Sequence, residues 1–177
     1  RAGARAVAVA VGPSWDAGMA HLRVVVEPDS TLVAVEADST CDVFTLADEM
    51  LARGWFVQPQ MAYRSMPPTL HLTLSAATEP HVEEFLEALA ESVSAAVQAG
   101  PVRVDPALAD AAAALDPATL DDAAFADLLR LAGLAGGEGV VLPERMAPVN
   151  ALLNVAPPPL RESLLIAFLD RLQRPSR

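Results

Sequence analysis

The clearest strand signal in the sequence lies at residues 69–75, which read Thr69-Leu70-His71-Leu72-Thr73-Leu74-Ser75. Leucines alternate here with polar residues, so one face of an extended chain is apolar and the other is polar. A period of two over this length is typical of a strand with one buried face. We therefore predict a half-buried strand that carries His71 on its polar side.

The residues before this strand predict the rest of a small antiparallel sheet. Leu22–Glu27 and Thr31–Ala37 are rich in β-branched residues, and the turn-forming Pro28–Ser30 separates them. Two such segments joined by a short turn predict a hairpin. Trp55–Gln60 predicts a further strand, in which Pro59 favours a position at the edge of the sheet.

Two helices are predicted beside these strands. Apolar residues recur at helical spacing from Asp42 to Arg53, and Gly54 is the predicted stop. Asp38–Thr40 offers side chains that cap a helix start. A second helix follows Thr78 and ends before Gly100. Its predicted apolar face comprises Val82, Phe85, Leu86, Leu89, Val93 and Val97.

The order of these elements indicates an α+β fold. Residues 22–99 give the order β-β-α-β-β-α, which predicts a two-layer unit with helices on one face of an antiparallel sheet. A helical C-terminal tail is predicted to follow. We accordingly divide the chain into a remnant of an interdomain segment at 1–20, an α+β small domain at 21–100 and a helical extension at 101–177.

The helical extension is punctuated by proline. Asp105-Pro106 and Asp116-Pro117 each combine a capping aspartate with a proline suited to a first helical turn. The glycine-rich residues 133–139 predict a flexible connection. Pro157–Pro159 predicts a rigid spacer, and Leu160–Leu172 predicts an amphipathic helix after it.

Composition excludes several kinds of partner. The chain has 23 acidic and 12 basic side chains, a formal net charge of -11, and one cysteine, Cys41. Such a chain repels phosphate backbones and anionic lipid heads, so we expect neither a nucleic-acid partner nor a membrane surface. No apolar run approaches the roughly 20 residues that span a bilayer. A single cysteine cannot form an internal disulfide, which favours the cytoplasm.

The basic side chains are unusual because all of them are arginine. The sequence contains no lysine at any of its 177 positions. Chemistry that needs a side-chain primary amine is therefore excluded from this chain by itself.

Few residues are candidates for chemistry. His21, His71 and His81 are too far apart in sequence to predict a metal site, and we expect no metal. Arg64 is the single basic residue between Arg53 and Arg103, and it lies in a proline-flanked loop beside Tyr63. An arginine in such a loop can bind a carboxylate or a phosphate with two hydrogen bonds. It can equally be a surface residue of a connecting loop.

Four stretches together resemble a known family. They are Glu27–Val35, Asp42–Met50, Arg53-Gly54-Trp55 and Pro67–Leu74. Their order is similar to that in the C-terminal region of sphingosine-1-phosphate-lyase-like enzymes. These enzymes belong to the group II amino-acid decarboxylase branch of the fold type I pyridoxal-phosphate enzymes. The resemblance covers residues 20–99.

The resemblance implies a lyase that splits a carbon–carbon bond next to an amine, such as a phosphorylated amino-alcohol aldehyde-lyase. In this family, pyridoxal phosphate is bound by a lysine of a large domain, and the small domain covers the site in a homodimer. The chain would then be inactive alone, bind no cofactor, and have the missing large domain as its partner. The resemblance assigns it no catalytic residue, and Tyr63, Arg64 and His71 are the candidates that face substrate.

Two alternatives stay open. Decarboxylases of the same family often place an arginine for the substrate carboxylate on the strand that corresponds to Thr69–Ser75. The present strand carries His71 and no arginine, which favours the lyase. The second alternative is a non-catalytic module that dimerises or binds a partner through its apolar surface.

Overall fold

We analysed a computed structural model of the chain, which describes residues 19–119, 121–131, 135–136, 139–140 and 143–173. The predicted interdomain remnant at residues 1–20 lies almost wholly outside these ranges. The chain divides into two compact units, Arg1–Val102 and Arg103–Arg177. We call their described parts the α+β unit and the helical unit.

The α+β unit contains a four-stranded antiparallel sheet. Its strands are β1 (Leu22–Val24), β2 (Leu32–Ala37), β3 (Gln58–Gln60) and β4 (Thr69–Thr73). Their order in the sheet is β1-β2-β4-β3, and every neighbouring pair is antiparallel. The predicted hairpin of β1 and β2 is confirmed, and so is the edge position of β3. The strand predicted at residues 69–75 is an inner strand, paired on both sides.

One face of this sheet forms the core. Val33 lies opposite Leu72, and Val35 lies opposite Leu70. All four side chains are buried. Burying each of them stabilises the fold by about 1.5–3 kcal/mol. Helices α1 (Val43–Ala52) and α2 (Val82–Ala99) pack against each other, and α1 also packs against β3 and β4. The predicted α+β fold with its antiparallel sheet is confirmed.

Helix α1 is capped by Asp42, not by a residue of the predicted Asp38–Thr40. Asp42 Oδ1 accepts hydrogen bonds from the backbone N–H groups of Phe44 at 2.7 Å and Thr45 at 3.0 Å. These bonds satisfy two of the donors that a helix start leaves free. The helix ends as predicted at Gly54, whose φ of 83° is one that glycine adopts without strain.

Helix α2 follows a short 3-10 turn at Glu79–His81. Thr78 does not cap it, because its hydroxyl bonds to the backbone of Ser75 instead. The buried face carries Leu86, Leu89 and Val93. The acidic residues predicted to lie off that face are exposed, namely Glu83, Glu84, Glu87 and Glu91.

The helical unit has four helices among its described residues. They are α3 (Pro106–Ala114), α4 (Asp122–Leu131), α5 (Ala147–Val155) and α6 (Pro158–Gln173). Asp105 caps α3 by accepting from Ala107 N at 2.8 Å, as its Asp-Pro pair predicts. The buried Phe125 of α4 packs against side chains of α5 and α6, namely Val149, Leu164, Ala167 and Phe168.

Within the predicted glycine-rich connection, residues 135–136 pair antiparallel with 139–140. Two predictions for the helical unit need correction. Pro158 and Pro159 are not a spacer but the first turn of α6, where a missing N–H breaks no helical hydrogen bond. The last helix is not amphipathic. Leu160 is buried, whereas its other side exposes Leu165, Ile166 and Leu169.

Among the described residues, no helix combines the length and the apolar composition that a membrane span requires.

Candidate functional site

The face of the sheet opposite the core is polar and centres on His71, and Thr69 on this face is buried. The register places His71 between Ala34 of β2 and Gln58 of β3. Two residues before His71 on β4, Thr69 lies between Glu36 and Gln60. The alternation of side chains across a strand puts all of these residues on the face opposite the core. His71 itself is half-buried, so its ring is accessible.

The two charged side chains on this polar face form an ion pair. Arg23 of β1 lies opposite Glu36 of β2, and Arg23 Nε donates to Glu36 Oε1 at 2.7 Å. Such a cross-strand pair holds the edge strand in register. What remains of the face presents amides, hydroxyls and the imidazole of His71.

The other two candidate residues form the tip of the β3–β4 hairpin. Tyr63 and Met66 exchange two backbone hydrogen bonds, Tyr63 N to Met66 O at 3.1 Å and Met66 N to Tyr63 O at 3.0 Å. Arg64 and Ser65 are the two turn residues between them. The guanidinium of Arg64 lies 5.1 Å from the centre of the Tyr63 ring, which is a cation–π contact.

The structure therefore brings Tyr63 and Arg64 together but not His71. Gln58 pairs with His71, Gln60 with Thr69, and Tyr63 with Met66, so one register runs through the hairpin. His71 lies five residues beyond Met66, roughly 17 Å away at the rise of an extended chain. The three candidates belong to two places on one hairpin.

A polar cluster that the sequence analysis did not find lies at the start of the unit. His21 Nδ1 is 2.8 Å from Asp38 Oδ2, and Thr40 Oγ1 donates to Asp38 Oδ1 at 2.6 Å. The hydrogen bonds from Thr40 and His21 hold the pKa of Asp38 at about 2. The register of β1 and β2 could have predicted the contact between His21 and Asp38. Leu22 lies opposite Ala37, so the next pair outward is His21 and Asp38.

This cluster fixes a turn and does not form a catalytic site with the neighbouring thiol. Cys41 is buried, and desolvation raises its pKa to about 12. A thiol nucleophile needs a lowered pKa and some exposure, and Cys41 has neither. Across the described ranges, no group of three or more histidine, cysteine, aspartate or glutamate side chains could hold a metal ion.

The Arg53-Gly54-Trp55 motif, which carried part of the family resemblance, has structural roles. Arg53 donates to Glu49 Oε2 at 2.8 Å and to Glu91 Oε2 at 3.2 Å, and it thereby links α1 to α2. The hydrogen bond to Glu49 also raises the pKa of Arg53. Trp55 contacts Phe85 edge to face, with ring centres 5.3 Å apart.

An apolar cleft lies beside this aromatic pair. Its walls come from the segment after α1, the end of β4 and the start of α2. The lining residues are Trp55, Phe56, Val57, Leu72, Thr73, Leu74, Thr78, Val82 and Phe85. No ionisable side chain lines the cleft, so it offers no group for acid–base chemistry.

The residues of this chain do not fit pyridoxal phosphate as a covalently held cofactor. The sequence has no lysine to bond to the aldehyde.

Comparison with known proteins connects the chain to pyridoxal enzymes through its helical unit. Residues 106–171 match the family described as "Pyridoxal-dependent enzyme, C-terminal putative HTH domain". The matched residues run from the start of α3 into α6.

Among solved structures, the chain is similar to the glutamate decarboxylase of Lactobacillus brevis CGMCC 1306. The two share 18% sequence identity with a TM-score of 0.47. The likeness covers 57% of this chain and 24% of the decarboxylase chain, so it spans about a quarter of that protein. No curated protein matches the sequence.

Proposed function

We propose that this chain is the C-terminal part of a pyridoxal-phosphate-dependent carbon–carbon lyase, with a phosphorylated amino alcohol as the substrate class. The observation that carries the proposal is the match of residues 106–171 to a C-terminal domain of pyridoxal-dependent enzymes. The lack of lysine fits it, because such a part does not need to hold the cofactor itself. The predicted homodimer and cytoplasmic location belong to the same proposal.

In the proposed enzyme, the cofactor and this chain have different roles. Pyridoxal phosphate, bound by a lysine of the large domain, supplies the electron sink for breaking a bond next to an amine. This chain contributes a rigid wall. Its sheet has one apolar face that packs against helices and one polar face that carries His71 and the Arg23–Glu36 pair. A wall of this kind can orient a substrate and exclude water without supplying the cofactor amine.

The lack of an arginine on β4 favours a lyase over an amino-acid decarboxylase. A decarboxylase of the resembling family would place an arginine on this strand to bind the substrate carboxylate. Thr69–Thr73 contains no arginine, and the central position is His71. A histidine there can donate a hydrogen bond, but it lacks the fixed pair of donors with which arginine binds a carboxylate.

Two preparations test the proposal. The chain alone, mixed with pyridoxal phosphate, should show no stoichiometric absorbance band of lysine-bound cofactor. The longer polypeptide from the same reading frame should show that band and release an aldehyde from a phosphorylated amino alcohol. A stoichiometric band from the chain alone would contradict the proposal. Carbon dioxide released from an amino acid, with no aldehyde, would replace the lyase with the decarboxylase.

A substitution on the polar face of the sheet tests the role given to His71. In the longer polypeptide, His71→Gln should lower kcat/KM by about tenfold or more, the usual loss when one polar contact to a reacting group is removed. Thr73→Ala is the matched control, because Thr73 is exposed on the same strand face. Equal activity of both variants would remove His71 from the proposed site.

A further inference from the structure

We propose that Arg64, in the turn Tyr63–Met66, binds an oxyanion of the substrate, namely the phosphate of a phosphorylated amino alcohol. This inference rests on the proposed function, and it assigns the substrate's anionic end to this turn rather than to His71. Three independent features of the turn support it: its backbone, its stacking contact and its charge.

The backbone of the turn is held in a conformation that its sequence does not favour. Arg64 has a φ of 56°, and it is the one non-glycine residue with positive φ in the part of the chain that the structure describes. Two-residue hairpin turns usually place glycine or asparagine at such a position. A side chain there costs about 1 kcal/mol or more, and residues held in this way concentrate at binding sites.

The guanidinium of Arg64 is oriented before any ligand arrives. It lies over the Tyr63 ring, 5.1 Å from the ring centre, and the backbone of Tyr63 is held by two hydrogen bonds to Met66. A cation–π contact of this kind does not use the guanidinium as a donor to an oxygen. The planar fork of donors matches the oxygens of a phosphate or carboxylate.

Among the residues that the structure describes, no carboxylate forms a salt bridge with Arg64. Salt bridges there join Arg23 to Glu36 and Arg53 to Glu49 and Glu91. The chain has 23 acidic side chains and a net charge of -11. Within the described residues, the turn thus holds a cation without a carboxylate partner at the tip of a hairpin, where it can meet an anion from outside the chain.

The experiment uses the longer polypeptide with two variants at position 64 and one control variant at position 103. Arg64→Gly removes the guanidinium but suits the positive φ, so the turn is retained. Arg64→Lys keeps the positive charge but lacks the planar pair of N–H donors. Arg103→Gln is the control and removes an exposed arginine elsewhere. We expect Arg64→Gly to raise KM for the phosphorylated amino alcohol by about ten- to hundredfold, the effect of losing charge-assisted hydrogen bonds. The KM of Arg64→Lys should lie between those of the wild type and Arg64→Gly, and the KM of Arg103→Gln should equal that of the wild type.

Two further measurements separate the possible outcomes. Inorganic phosphate should bind the polypeptide without substrate, and Arg64→Gly should weaken that binding by a similar factor. KM for the amino alcohol without its phosphate should be unchanged. Unchanged phosphate binding, or lost cofactor affinity with an unchanged KM, would overturn the inference. A polypeptide that binds phosphate through Arg64 but cleaves no amine would support the inference while the proposed function fails.

Discussion

The two units of the chain hold themselves together by different means. In the α+β unit, polar side chains link elements that are far apart in sequence. Asp42 caps α1 and also accepts from Val102 N, 60 residues away, while Arg53 joins α1 to Glu91 of α2. In the helical unit, Asp105 and Asp121 accept from backbone groups of their own helices. There, packing around Phe125 joins the helices.

This difference indicates where each unit is vulnerable. A unit cross-linked by long-range hydrogen bonds should lose stability when one multifunctional polar side chain is removed. In the helical unit, described side chains of α5 and α6 pack around Phe125 of α4, so this unit should be sensitive to the loss of that residue. Cys41 is buried and is the chain's one cysteine, so its rate of labelling by a thiol reagent reports on opening of the α+β unit alone.

The largest effect should come from Phe125→Ala. Truncating a buried phenylalanine typically lowers the free energy of unfolding by about 3–5 kcal/mol. Hydrogen exchange in α4, α5 and α6 should become faster, while Cys41 labelling stays at the wild-type rate. Leu89→Ala, in the core of α2, is the matched control and should accelerate Cys41 labelling instead. Faster Cys41 labelling in Phe125→Ala would mean that the two units unfold together.

A smaller effect is expected from Asp42→Ala. The substitution removes a helix cap and the hydrogen bond to Val102 at once, so it should lower stability by about 2–3 kcal/mol. Asp105→Ala removes a cap only and should lower it by about 1 kcal/mol. Urea unfolding followed by circular dichroism measures both. Equal losses would show that the long-range bond to Val102 adds nothing.

Removing a buried hydroxyl should stabilise the α+β unit. Ser92 is fully buried in α2, and its Oγ has no hydrogen-bond partner among the residues that the structure describes. Because an unpaired buried polar group is unfavourable, Ser92→Ala should raise the free energy of unfolding by about 1 kcal/mol. Ser94→Ala, at an exposed position, should change it by no more than about 0.5 kcal/mol. A loss of stability in Ser92→Ala would show that the hydroxyl is satisfied in solution.

The smallest effect concerns acid stability. Hydrogen bonds from Thr40 and His21 lower the pKa of Asp38 from 3.8 to about 2. The ionised carboxylate therefore adds stability above about pH 4, and this is lost as the pH falls toward 2. Because the side chains are partly exposed and solvent screens them, the loss should be at most about 1 kcal/mol. Asp38→Asn should flatten this part of the pH profile. An unchanged profile would exclude the cluster as its cause.

The elements of the α+β unit were predictable because each has a local signal. Alternating leucines marked β4, and Gly54 and Gly100 marked the ends of two helices. The correct cap of α1 was missed because Asp38, Thr40 and Asp42 have the same local capping ability. Which of them acts depends on where the β1–β2 hairpin ends, and Asp38 is engaged there by His21 and Thr40.

The candidate site was less predictable than the fold. Tyr63, Arg64 and His71 were selected as one group because they are close in sequence. The hairpin register separates His71 from the turn, since a strand extends about 3.3 Å per residue. The amphipathic character predicted for Leu160–Leu172 was wrong, because α6 also exposes Leu165, Ile166 and Leu169 on the side away from the buried Leu160.

The sequence by itself determined the order of strands and helices, the acidic charge and the exclusion of lysine chemistry, because each follows from residue identity or from local periodicity. The tertiary structure decided the sheet order, the cluster of His21 with Asp38, and the isolation of Arg64 at a hairpin tip. These features depend on register and on distances between residues remote in sequence. Only folding fixes those distances, so no local pattern could contain them.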